Sequence, residues 1–144
     1  MAVISLAATI LIILALIVLC YFLYKMFNKK ILDEPLPEKN LKKVSEAVLV
    51  KSAHKVGGKA FILRRKEKTW LRLENFKILG GPDLRVYLSM DIKAKKFIDL
   101  GKLKANSGNI NYEIPNEAML PQFPFILIWC RAFSVLFGYG KFKK

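Results

Sequence analysis

Cys130 has the most distinctive chemistry in this 144-residue chain, and its neighbours are Trp129 and Arg131. A guanidinium nearby favours the thiolate, which is the nucleophilic, redox-active and metal-binding form of cysteine. The opposing reading is a core residue, because free cysteine is among the most buried residue types. Strand alternation places Cys130 on the face of Ile126 and Ile128, with Arg131 on the other. Periodicity alone therefore favours the core. The other cysteine, Cys20, lies inside a hydrophobic run, so no intramolecular disulfide is expected. With a single histidine, no CxxC and no Cys/His cluster, no zinc site is legible.

The remaining polar residues do not form a catalytic set. Acid–base chemistry needs paired titratable groups in one pocket. The spacing of His54, Asp83, Asp91, Asp99 and Glu113 pairs none of them, so no orthodox enzyme is expected. His54 reads as a surface or turn residue, and Asp83, after Gly80-Gly81-Pro82, as a turn-capping carboxylate. Asp99, Asn106, Asn109 and Asn111 either line a polar pocket or bond within local turns. No phosphate-cradling glycine motif precedes a helix.

These residues must be positioned by strands. Alternating apolar and polar residues run through 59–65 and 69–76, with a charged turn at Lys66-Glu67-Lys68, which together make a hairpin. Leu84, Val86 and Leu88 form a half-buried strand after the Gly80–Asp83 turn, and 97–103 is another. Asn106-Ser107-Gly108-Asn109 reads as a turn. Tyr112 and Ile114 continue the pattern until Pro115. Residues 125–130 are continuously apolar, as in a strand buried on both faces, and Phe133, Val135 and Phe137 alternate after it. Residues 116–124 read as a loop. The pattern predicts an all-β antiparallel sandwich or barrel-like domain over 46–144.

Ahead of that domain lies an apolar segment. Residues 2–24 read AVISLAATILIILALIVLCYFLY. As a helix this run is about 34 Å long, enough to cross a hydrocarbon core of roughly 30 Å. Tyr21, Phe22 and Tyr24 sit where an interfacial aromatic belt belongs, followed by Lys25, Lys29 and Lys30. The run is too long for a cleaved signal peptide, and no small-x-small site follows. Residues 1–27 are thus expected to be a single-pass transmembrane anchor. Residues 28–45, with Pro35 and Pro37, read as an extended linker that its positive charge holds near anionic lipid.

The formal net charge is +14. Such a balance suits anionic lipid or polysaccharide partners. Nucleic acid is the weaker fit, since the lysines lack interleaved aromatic platforms. Every lysine follows the helix, which by the positive-inside rule would place the domain in the cytoplasm.

Three ordered motifs carry a family resemblance. The first is Gly81-Pro82-Asp83-Leu84 with Val86-Tyr87-Leu88-Ser89. The second is Asp99-Leu100-Gly101-Lys102-Leu103-Lys104 with Asn106, Gly108 and Asn111-Tyr112-Glu113-Ile114-Pro115. The third is Ile128-Trp129-Cys130 with Phe133, Val135, Phe137 and Gly138. Together with His54, Gly58 and Leu71–Phe76, the chain from about residue 46 to 143 resembles the DM13 domain family. The resemblance implies a β-sandwich-like domain, extracytoplasmic, sometimes joined to DOMON-type haem or sugar modules. It further implies electron transfer through a cysteine corresponding to Cys130, and it marks Trp129, His54, Asp83, Tyr87, Asn106, Asn111 and Tyr112 as motif residues. Two departures stand out: Ile110, where a polar residue is common, and Gly140, where alanine is common.

Two functional expectations follow. One is a membrane-tethered redox module that exchanges through Cys130 with a partner protein, a small thiol, or a bound haem or copper; without an attachment motif any haem would be non-covalent. The other is a non-catalytic basic β-sandwich that binds envelope polyanions or a protein partner.

Overall fold

A computed structural model of the chain describes residues 5–28, 30–115 and 120–143. Helix α1 spans Leu6–Phe27. The Ser5 hydroxyl accepts from the Ala8 N–H at 3.3 Å, and the Thr9 hydroxyl returns its bond to the Ser5 carbonyl at 3.2 Å, so the polar side chains at the helix start are satisfied internally. The helix is long and apolar enough to cross a membrane from Leu6 to Lys25, with none of that span buried against the protein.

Ten strands follow: β1 (Ile31–Asp33), β2 (Lys42–Val48), β3 (Val50–Lys51), β4 (Val56–Arg65), β5 (Lys68–Ile78), β6 (Leu84–Ser89), β7 (Phe97–Lys102), β8 (Ser107–Ile114), β9 (Phe125–Cys130) and β10 (Val135–Lys141). They form two five-stranded sheets, ordered β1-β8-β5-β4-β2 and β3-β10-β9-β6-β7. All pairings are antiparallel except β1 with β8. The domain is an open sandwich and not a closed barrel. The hairpin expected over 59–76 forms, closed by the two-residue turn Lys66-Glu67 with Lys66 at φ 51° and Arg65 opposite Lys68.

The core lies between the sheets. Ala60, Ile62, Leu71, Leu73, Phe76, Ile110 and Ile114 project from the first sheet, and Val86, Leu88, Ile126, Ile128 and Cys130 from the second. Full burial of each large apolar side chain contributes roughly 1.5–3 kcal/mol. The unbroken apolar run of β9 predicts burial on both faces; the inner face is fully buried, while on the outer face Leu127 is covered and Phe125 and Trp129 are half-buried.

Three segments differ from the sequence expectation. The stretch read as a linker is largely docked on the domain. It contributes β1, it places the start of β2 at Lys42, and it crosses the outer face of the first sheet between the two. Arg72 and Arg65 hold this crossing strap from below: Arg72 Nη1 donates to the Glu34 and Pro35 carbonyls at 3.1 and 3.3 Å, and Arg65 Nη1 to Glu38 Oε2 at 2.8 Å. Trp70 and Leu63, on the outer face between these points, are buried. Phe133 lies in a four-residue turn and not in a strand, since β10 begins at Val135, opposite Cys130. The turn is fixed because the Arg131 N–H donates to the Asp83 carbonyl at 2.9 Å and Ser134 takes a left-handed φ of 51°. Of the loop expected over 116–124, residues 116–119 lie outside the described residues, and Leu120–Gln122 form a single 3-10 turn.

Topology gathers four connections at one end of the sandwich, the α1 end: Ser52–Lys55, Leu79–Asp83, Leu103–Asn106 and Arg131–Ser134. The chain enters there from α1. The Lys30 N–H donates to Asn106 Oδ1 at 3.3 Å, and the Asn106 N–H to the Lys30 carbonyl at 2.8 Å.

Candidate functional site

Cys130 is the last residue of β9. Its rung is the terminal one of the sheet, opposite Leu84, the first residue of β6, and Val135, the first of β10. The thiol is free, 0% exposed, and part of the apolar core with Leu84, Ile128 and Phe137. Arg131 projects to solvent, as alternation predicts, and pairs with Asp83 at 2.7 Å. This pair and the Arg131-to-Asp83 backbone bond form a latch beside the buried thiol. Asp83 Oδ1 is buried without a hydrogen-bond partner among the described residues, so the carboxylate is held by one oxygen only.

Trp129 points to the opposite face of the second sheet. Its ring centroid lies 6.4 Å from that of Tyr87, and Tyr87 stacks on Phe97 at 4.1 Å. Next to this row Arg85 Nε lies 2.8 Å from Asp99 Oδ2, close enough for an ion pair though not aligned as a hydrogen bond. Burial, reinforced by the Asp99 carboxylate, raises the Tyr87 phenol above its ordinary value, while the adjacent Asp99 carboxylate raises the Arg85 guanidinium. His54 is exposed in the loop before β4, with its ring 3.9 Å from that of Phe137 and its N–H donating to the Phe137 carbonyl at 3.3 Å.

The asparagines do not converge on one pocket. Asn106 pins the chain at Lys30, as described above. Asn109 donates to Asp33 Oδ1 at 2.6 Å. Asn111 accepts from Arg72 at 2.8 Å and donates its side-chain amide to the Pro35 carbonyl at 2.7 Å. Both therefore hold the strap, while Asp99 belongs to the other sheet. The centre of this clasp is Arg72, nearly buried, which also donates to Glu74 at 2.7 Å. Glu34 completes it by accepting from the Asn111 N–H at 2.6 Å and pairing with Lys104 at 3.1 Å. Burial alone would raise the Glu34 carboxyl, but the Asn111 N–H and Lys104 outweigh it and hold the group below the usual range. Sequence reasoning missed Arg72 and Glu34.

Tyr112 faces inward. Its hydroxyl accepts from the Lys104 N–H at 2.9 Å and donates to the Lys102 carbonyl at 3.4 Å, so it ties the β7–β8 connection to β8. Burial pushes its phenol up to about 12. The folded value exceeds the unfolded one, so the neutral form is favoured by folding. The associated stability is complete below the unfolded value near 10 and is lost as pH rises through the folded value. Tyr112→Phe is expected to flatten the fall in stability between those two values in urea titrations at stepped pH; an unchanged slope would mean that the phenol does not titrate with folding.

Copper or haem at Cys130 would need further ligands or open space beside the sulfur. Among the described residues no three His, Cys, Asp or Glu side chains are gathered where a metal ion could be held. The one histidine sits on an exposed loop, and the core fills the space beside the sulfur. These residues fit neither group.

The geometry thus presents a lone thiol on a terminal rung beneath a latch, flanked on the outer face by a Tyr–Trp pair. A family model described as electron transfer DM13 matches residues 48–142. The chain belongs to the DM13 family. No curated protein matches it, and no solved structure does. Each motif of this DM13 domain has a structural counterpart: Gly81–Leu84 shapes the latch loop, Asn106–Pro115 carries the strap contacts and the Tyr112 tie, and Ile128–Gly138 supplies the thiol strand, its turn and β10.

Proposed function

We propose that the chain is a membrane-tethered, extracytoplasmic DM13 module in which Cys130 exchanges with a redox partner by thiol–disulfide chemistry. The supporting observation is the position of Cys130 on the terminal rung of β9. It lies at the sandwich end beside the Arg131–Ser134 turn and the Asp83–Arg131 pair, and local opening there is the route by which the thiol would be reached. In the exchange the Cys130 thiolate attacks one sulfur of a partner disulfide. A mixed disulfide forms, and the departing thiolate takes up the proton that Cys130 released. A second thiol then releases Cys130 as a thiol. Having no neighbouring cysteine, Cys130 needs that second thiol from outside the domain.

The test uses full-length Cys20→Ser protein in detergent with glutathione disulfide. Mass spectrometry is expected to find one glutathione on Cys130 under native conditions, and none in a Cys20→Ser/Cys130→Ala chain. Modification only at the rate of global unfolding would overturn the proposal. An impermeant maleimide applied to intact cells reports the side: labelling that requires detergent would place the domain in the cytoplasm.

The second reading, a basic module for envelope polyanions, draws on the +14 charge and on Lys93, Lys95 and Lys96 at the end of the sandwich far from the anchor. Salt-sensitive polyanion binding that Cys130→Ala leaves unchanged is its expected signature.

A further inference from the structure

We propose that the anchor end of the sandwich is a second membrane contact, seated on the head-group layer of an anionic bilayer. The inference rests on α1 being the membrane anchor. The first argument is the length of the tether. The helix cap at Asn28 donates to the Tyr24 carbonyl at 2.9 Å, and Lys30 is already bonded to Asn106. Three residue steps from Phe27 to Lys30 span at most about 11 Å. Head groups add roughly 5–7 Å on each side of the hydrocarbon core. Even fully extended, this tether exceeds the head-group layer by only a few ångströms, so it keeps the loops at this end beside the lipid surface and leaves surface chemistry to decide whether they seat on it.

The surface chemistry agrees with that position. Three large apolar side chains are exposed there: Ile31 at 75%, Leu79 at 53% and Phe133 at 60%. A groove of about 650 Å³ runs between Ile31, Leu79 and the strand ends, with Lys55 and Lys77 among its lining residues. Neither these lysines nor Lys30 has an ion-pair partner among the described residues. Asp83, the acidic residue of the neighbouring loop, is paired with Arg131. Exposed apolar tips with free ammonium groups around them match the boundary between acyl chains and lipid phosphates. Ile31 and Leu79 line the same groove, so they are neighbours and not apolar side chains scattered singly.

The test places full-length chain, with Cys20→Ser and Cys130→Ala, in nanodiscs of phosphatidylcholine alone or mixed with phosphatidylglycerol. A bimane probe is attached through Leu79→Cys, or through Lys93→Cys as the distal control, and is quenched by lipids carrying a nitroxide at the head group. Strong quenching of the Leu79 probe is expected in the anionic discs, weakened by salt, and little at Lys93. Replacing Lys55 and Lys77 by Gln is expected to lower the docked-to-free ratio about fivefold per lysine. Quenching at Leu79 that is equal in neutral and anionic discs and unmoved by these replacements overturns the docking while leaving the anchor intact. A chain that does not enter the discs overturns the anchor, and the docking with it.

Discussion

Gly108→Val is expected to strip β1 from the sheet. Gly108 sits at φ 114°, in the left-handed region, and pairs with Leu32 in the parallel β1–β8 ladder. A Cβ added there would fall on the Leu32 carbonyl. Either β8 deforms within the core sheet or β1 leaves. β1 is a three-residue edge strand, so it is the element that yields. The combined backbone strain and lost pairing should cost about 3–5 kcal/mol. Limited trypsin digestion separates the alternatives, since Lys39, Lys42 and Lys43 lie in the strap or directly after it. Rapid cutting there with a resistant remainder of the domain is the expected pattern. Protease resistance equal to the native chain would mean that β1 and the strap are not fixed by this contact. Arg72→Met, which removes the clasp from beneath, should produce the same pattern with no strain on the β8 backbone, since on β8 it costs only the bond to the Asn111 side chain.

The second large effect concerns thiol access. In a Cys20→Ser background, Cys130 is expected to react with a maleimide at least about a hundredfold faster than a cysteine introduced two residues deeper by Ile128→Cys with Cys130→Ala. Both side chains are fully buried on the same face of β9, so static exposure does not distinguish them. The difference lies in what must open. Cys130 requires release of the Arg131–Ser134 turn and of the Asp83–Arg131 pair, whose arginine is 59% exposed and whose contribution is therefore at most about 1 kcal/mol. Residue 128 is paired with Val86 on one side and Gly138 on the other, inside the ladder. Its exposure requires separation of the sheet. Equal rates at the two positions would mean that Cys130 opens only with the whole domain, and the redox reading would lose its physical basis.

Much of this was legible in the residues themselves. The alternation from Lys59 to Phe76 and from Leu84 to Leu88 sets which side chains meet across the sandwich, and the same rule placed Cys130 inward and Arg131 outward. The strap was not legible. Its bonds join residues 27 to 77 positions apart, from Arg65 with Glu38 to Asn111 with Glu34, and local periodicity carries no information at that separation. Arg72 in an alternating strand reads as a solvent-side charge. Only the crossing chain makes that face interior, and it explains why Asn109 and Asn111, which read first as turn residues and second as pocket residues, serve neither purpose. Phe133 misled for a related reason: alternation continued on paper through a turn that long-range contact with Asp83 defines.

The parallel pairing of β1 has a mechanical consequence. Tension arriving from α1 would pull β1 along its own axis. Its ladder bonds to β8 lie across that axis, so they are loaded in shear and must fail together instead of unzipping one at a time. Behind them, the Arg72 and Arg65 contacts resist sliding of the strap. The domain is thus attached to its tether as a lap joint, with the two partner strands at its ends, β8 and β4, belonging to the core sheet itself.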